Sequence, residues 1–299
     1  MPHFLFVILL ATMLYPADGH VVPLRTLILA TVIEVVLILK QKFTSNTVLR
    51  TAAGDVAGVL FSFLFLWELL TERLNYLDPM LFPAPEIIFT LFVRELPDML
   101  KGLYGSILLL GSGYLLALFT AIPLGLIVGW KKRLFHAVNP FAKVLGPIPP
   151  IVYIPYAIAL LPTFRTASIF VIFTGAFWPL FVNTVSGVFN IPPSLIDAAR
   201  MLNLKKRTLF LRVLLPGALP SIFTGANLAL LLSFLLMTAA ELIGATSGIG
   251  WYVKNFSDFA DYPRVIVGIL FISIVVTAIT WFTMRLERYL LRYREVNND

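Results

Sequence analysis

Between Ser194 and Pro216 the chain reads SLIDAARMLNLKKRTLFLRVLLP, and the interpretation of the whole sequence turns on this stretch. It carries five basic residues, Arg200, Lys205, Lys206, Arg207 and Arg212. Apolar residues recur at helical spacing: Leu195, Ile196, Ala199 and Leu202, then Leu209, Phe210, Val213 and Leu214. That period predicts two short amphipathic helices rather than a loose loop. The flanks are different in kind. Ser168–Phe189 and Ala218–Ile243 are apolar runs of the length that crosses a bilayer, for which about 20 residues suffice.

Composition says the same of the rest. Of 299 residues, 59% are hydrophobic and 13% charged, against roughly 25% charged in a soluble domain. The chain is therefore expected to be an all-α integral membrane protein. Its net charge of +7 sits between apolar runs, as in the loops of membrane proteins, and not on a nucleic-acid-binding face. The absence of cysteine excludes disulfides and thiolate chemistry. His3, His20 and His136 are too scattered for a metal site. No His/Asp/Ser constellation lies within the apolar runs, so neither catalytic residues nor a bound cofactor is expected.

Outward from the decisive stretch, about eight spans are predicted. Phe4–Tyr15 and Val22–Leu39 read as a hairpin turned at Pro16–Gly19; a signal peptide would carry a basic leading region, which this start lacks. Glu34 lies inside the second of these runs, where it serves either helix-to-helix hydrogen bonding or a functional site. Lys40–Arg50 reads as a basic linker. Thr51–Leu70 follows, with a small-residue face at Gly54-x-x-x-Gly58. A polar interval comes next, with helix breaks expected at Asp78-Pro79, Pro83-Ala84-Pro85 and Pro97. The remaining spans are Gly105–Gly129, with a second small-residue face at Gly125-x-x-x-Gly129, then Leu145–Leu161, Ser168–Phe189, Ala218–Ile243 and Val265–Met284. Pro147, Pro149, Pro150 and Pro155 should kink the Leu145–Leu161 run. The organisation is thus an N-terminal hairpin and linker (1–50), a first core span and outer loop (51–104), a core (105–286) and a tail (287–299).

Counting Lys and Arg on alternate sides of these spans gives 16 on one side and 7 on the other, out of 23. The excess places both termini and the Ser194–Pro216 stretch in the cytoplasm. Within the stretch, Ser194 stands at an N-cap position with Asp197 three residues on, a capping box with Asp in place of Glu. Ala198 and Ala199 offer a thin face for close approach, and Asn203 suits the left-handed residue that ends a helix. Two readings follow from these residues: a membrane-surface helix pair held by anionic lipid, or a rigid lug that docks into a cytoplasmic partner.

Asp197-Ala198-Ala199, three residues, Asn203, nine residues, then Val213-x-Leu215-Pro216 resembles the EAA motif of binding-protein-dependent ABC importer permeases. Asp and Asn here replace the family's Glu and Gly. Trp67-Glu68 with Leu81–Pro85, Ile122-Pro123-Leu124-Gly125, Phe177-Trp178-Pro179 with Asn183-Thr184, Thr224-Gly225, Ala240–Ile243 and Gly248-Ile249-Gly250 resemble the nitrate, taurine and aliphatic-sulfonate branch. The resemblance covers roughly Thr51–Met284.

It implies a type I ABC importer-like transmembrane domain of six core helices, to which the hairpin is added, in a prokaryotic cytoplasmic membrane. The chain would be the permease subunit for a small solute, acting by alternating access. ATP and Mg would bind separate ATPase subunits, two per complex; this chain has no Gly-x-x-x-x-Gly-Lys-[Ser/Thr] loop of its own. A second permease chain, forming a homodimer, and an extracytoplasmic solute-binding protein complete the set. Leu195, Asp197, Ala198, Ala199, Met201, Leu202, Asn203, Leu215 and Pro216 would couple to the ATPase. Polar residues within spans mark a candidate translocation pathway: Asn183, Asn227, Ser233, Thr238 and Glu241. For Glu241, gating at the outer mouth and a hydrogen bond to the Ser247–Gly250 turn both remain open. The competing function is a secondary transporter without an ATPase, which predicts inverted repeats with broken helices at matched positions; none is visible.

Overall fold

The computed structural model describes residues 2–14, 23–44 and 46–291. Among these the secondary structure is helical throughout, with no strand. The chain divides into two compact units, Met1–Asp98 with Val253–Phe271, and Met99–Tyr252 with Ile272–Asp299.

In the first unit, α1 (Pro2–Leu14), α2 (Leu24–Phe43) and α3 (Thr47–Glu68) alternate in direction and enclose Leu9, Met13, Ala30, Leu37, Ala57, Phe61 and Leu64. The Gly54 and Gly58 face does what its spacing suggests: Cβ positions there would stand 3.7 Å from Pro2 and 3.9 Å from Leu5, so α1 packs directly on it. Glu34 is buried and hydrogen-bonds His3 across α1 and α2, the helix-to-helix role. The Pro16–Gly19 turn lies outside the described residues.

The expected basic linker is mostly helix. α2 runs on to Phe43, and α3 begins at Thr47, where Asn46 Oδ1 accepts from the Val48 and Leu49 amides at 3.0 and 3.4 Å. A side-chain cap of this kind lets a new helix start after a very short connection. At the other end of α2, Glu86 Oε2 accepts from the amides of Arg25 (2.9 Å) and Thr26 (3.0 Å). An anion there satisfies orphan donors and complements the helix dipole.

The expectation that Pro97 breaks the chain is corrected. α4 runs unbroken from Pro85 to Trp130, 46 residues through Pro97 and Pro123. Proline removes one backbone bond, and the bonds on either side carry a long helix through it with at most a kink. Among the described residues, five helices are long and apolar enough to cross a membrane: Thr47–Arg73, Pro85–Trp130, Phe164–Phe189, Lys206–Gly244 and Tyr262–Leu290. The other three predicted spans are also helical. Pro2–Leu14 and Pro150–Leu160 are short, and Leu24–Phe43 carries Arg25, Glu34, Lys40 and Lys42.

The second unit is built on α4, α7 (Phe164–Phe189) and α10 (Leu215–Gly244). α4 and α7 run parallel in close contact: a Cβ at Gly125 would lie 2.7 Å from Thr184 Cβ, and one at Gly129 2.8 Å from the Val185 carbonyl. α7 and α10 run antiparallel, with Gly187 against Ser221 and Gly225 against Asn183, each at 2.7 Å by the same construction. Any larger side chain would force these helices apart. Parallel α4 and α7 also require the chain to return between them. After α5 (Lys132–Leu145), that return is made by residues 146–162, which hold a 3-10 turn (Pro150–Tyr153) and α6 (Ile154–Leu160). Gly146 faces Trp178 and Pro150 faces Gly175, so the return runs antiparallel to α7. The proline-rich run predicted at Leu145–Leu161 therefore connects opposite ends of α7, although its helix has only seven residues.

Candidate functional site

The return fixes which loops share an end of the second unit. Gly129, Trp130 and Lys132 meet Val188, Phe189, Ile191, Pro193, Ile196 and Asp197 around a hollow of about 500 Å³. The basic loop after α4 and the Ser194–Pro216 stretch thus lie together. At the opposite end, Phe164 and Arg165 meet Gly105 and Ala245–Ser247.

At the basic end stands α8 (Pro193–Met201). It begins two residues earlier than a cap at Ser194 predicts. Pro193 takes the first helical position, where a missing N–H costs nothing, and Ser194 falls inside the first turn instead of capping it. The other terminus follows the expectation. Asn203 has φ +46°, and the Leu204 amide donates to the Ala199 carbonyl at 3.3 Å, the long bond of a Schellman ending.

Successive helix positions lie about 100° apart, and this divides the two alanines. Ala199 is buried and Ile196 packs on the bundle core, whereas Ala198 faces outward. The outward face is apolar: Leu195 is 52% exposed, Met201 88% and Leu202 72%. Asp197 is exposed on the rim of the hollow. Lys205, Lys206, Arg207 and Arg212 are exposed beyond the turn.

The second predicted short helix is the start of a long one. α9 (Lys206–Leu209) passes through a π-helical turn (Phe210–Leu214) into α10. The Leu215 amide reaches back five residues to Phe210, and Pro216, which has no amide to give, follows at once. Leu215 packs against the core, and Pro216 heads α10, so neither belongs to the outward face of α8.

Each residue proposed for a pathway is held by a hydrogen bond. Asn183 Nδ2 donates to the Pro179 carbonyl (2.8 Å), Ser233 Oγ to that of Ala229 (2.7 Å) and Thr238 Oγ1 to that of Phe234 (2.9 Å). All three are thereby satisfied by their own helices. Asn227 instead donates to Glu287 Oε2 at 2.8 Å, tying α10 to α12 (Tyr262–Leu290). The sequence reading missed Glu287, which is masked by Arg285 and Arg288 beside it. It also missed Tyr114, whose hydroxyl donates to the Ala226 carbonyl at 3.0 Å.

Glu241 is different. It is 1% exposed. Its Oε1 accepts from Ser106 Oγ at 2.6 Å and its Oε2 from the Gly250 amide at 2.7 Å; Ser106 Oγ in turn accepts from the Ile249 amide at 3.0 Å. Ile249 and Gly250 open α11 (Ile249–Asp258), so two orphan donors of that helix are satisfied from α4 and α10. Gly248 has φ +127°, and a Cβ there would stand 2.5 Å from Glu241 Cδ. Of the two readings of Glu241, the hydrogen bond to the turn is present. Ser106 could not be singled out in advance, because nothing local marks one serine among many.

Residues 121–292 match the family model described as binding-protein-dependent transport system inner membrane component. The nitrate import permease protein NrtB of Leptolyngbya laminosa is 38% identical over 54% of this chain, and the match spans 58% of that protein's length. The bicarbonate transport system permease protein CmpB of Synechococcus elongatus is 30% identical over 79% of this chain and 88% of its own. Among solved structures, a chain of the MetNI methionine ABC transporter, inward facing, superposes with a TM-score of 0.57 at 18% identity, covering 66% of this chain and 98% of that one. The chain belongs to the binding-protein-dependent transport system inner membrane components, the multi-pass permeases of ABC importers, and within them it is similar to the nitrate and bicarbonate permeases.

Proposed function

We propose that this permease couples ATP hydrolysis in two separate ATPase subunits to alternating access for a small solute, and that α8 is the element that receives the force. The observation that carries this reading is the exposed apolar stripe of Leu195, Ala198, Met201 and Leu202 at the basic end of the second unit. A face of that kind on a short, firmly ended helix is suited to seating in a partner's cleft and to transmitting displacement without fraying. Ala199 and Ile196 anchor the helix from behind, and Asn203 closes it. ATP and Mg belong to the partner.

The family supports the rest of the proposed assembly, a second copy of the permease and a solute-binding protein on the face opposite α8. The excess of Lys and Arg on that face supports a cytoplasmic position for α8 and both termini, and the family's description supports a prokaryotic inner membrane. The small oxyanions in the names of NrtB and CmpB are the first solutes to try.

Ala198→Glu combined with Met201→Asp tests the assignment. Both positions are exposed, so the bundle is expected to fold normally while the ATPase subunit no longer co-purifies and uptake stops. Undiminished co-purification with unaltered uptake refutes α8 as the coupling element.

A further inference from the structure

On the first unit, α2 and α3 line an open groove of about 400 Å³. Val36, Ala52, Ala53, Val56 and Leu60 represent its lining, which is apolar except at one end, where Lys40 stands. The volume falls within the roughly 300–1,000 Å³ typical of small-molecule sites.

The groove has a polarity as well as a shape. On α2 it runs from Val32 to Lys40 and on α3 from Leu60 to Leu49. At 1.5 Å per residue these are about 12 and 16 Å, close to the ~15 Å of a single leaflet's hydrocarbon. The cation lies at the end where both helices leave the apolar region; Lys42 and Arg50, exposed nearby, do not line the groove. Lys40 makes no ion pair among the described residues.

We infer that this groove is a binding site for one anionic phospholipid, an acyl chain lying along the α2 and α3 walls with the headgroup phosphate on Lys40. The match is in length, in apolarity and in the placing of the charge. A zwitterionic lipid would satisfy the apolar part and offer a phosphate, but its own cation competes with Lys40 for that phosphate and its net charge of zero removes the attraction. Each basic residue near the surface is worth roughly 1 kcal/mol toward anionic lipid, a preference of about fivefold.

The test uses the full-length chain, stripped of lipid in detergent and titrated with phosphatidylglycerol or phosphatidylcholine of the same acyl chains, with bound lipid counted by native mass spectrometry. One phosphatidylglycerol per chain is expected to bind about fivefold more tightly than phosphatidylcholine. Lys40→Ala should erase that preference and Lys40→Arg should keep it. Ala52→Trp, at an exposed position that fills the groove without entering the core, should weaken both lipids. Equal binding of the two lipids by the unaltered chain overturns the inference, as does a preference that survives Lys40→Ala. So does a lipid-free dimer that Ala52→Trp dissociates while lipid binding stays unchanged, because the groove would then belong to a second copy.

Discussion

Replacing Glu241 with alanine should loosen the start of α11 by an amount set by the local bonds. The carboxylate accepts from the Gly250 amide at 2.7 Å and from Ser106 Oγ at 2.6 Å. Ser106 has an alternative, because the Gly102 carbonyl lies 3.3 Å from its Oγ. The Gly250 amide has none, and it is left buried without an acceptor beside the space vacated by the side chain. An orphaned buried donor costs about 1–3 kcal/mol, and an unfilled cavity adds to it, so roughly 2–4 kcal/mol is expected. Glutamine is the informative comparison. Its carbonyl can serve Gly250 and its amide can donate to Ser106 once the serine hydroxyl turns to Gly102, for a loss of about 1 kcal/mol. Hydrogen exchange of the purified protein reads this at the Ile249 and Gly250 amides. Exchange there should accelerate about 30- to 700-fold in Glu241→Ala, given a factor of ten per ~1.4 kcal/mol, and only several-fold in Glu241→Gln. Unchanged protection in the alanine variant refutes the account of the bonds. Abolished uptake in the glutamine variant with protection intact would show that the carboxylate does more than hold the turn.

Two further outcomes follow from backbone geometry. Gly248→Ala places a Cβ at φ +127° and against the Glu241 carboxylate, so thermal unfolding in detergent should show a loss of at least the 1–3 kcal/mol that such backbone strain costs; an unchanged midpoint contradicts the collision. Asn203 holds φ +46°, so Asn203→Gly should leave the end of α8 at least as firm, whereas Asn203→Val should weaken it by about 1–2 kcal/mol, seen as faster exchange at Leu202 and Leu204. Equal exchange in the two variants would mean that this turn does not hold the helix end.

Much of the fold is legible in the chain because the bilayer imposes simple rules. Long apolar runs at Phe164–Phe189, Lys206–Gly244 and Tyr262–Leu290 are spans by length and composition, and the basic residues around Ser194–Pro216 identify one face. Asn203 was recognisable as a helix end because a short polar side chain tolerates the left-handed region. Pro97 misled because a proline inside a long helix can kink it without ending it, the bonds on either side outweighing the one that is lost.

The sequence alone determined that the chain is helical and crosses a membrane, that its basic loops gather on one face and that a short amphipathic helix lies there. These properties depend on composition and on periodicity along the chain. Only the tertiary structure decided that Ala199 turns inward while Ala198 faces out, that Ser233 and Thr238 bond to their own helices, and that Glu241 joins Ser106 and α11 across 135 residues of sequence. Those outcomes depend on which helices touch and at what rotation. Glycine positions such as Gly125, Gly187 and Gly225 settle that through close contact, and no local pattern contains it.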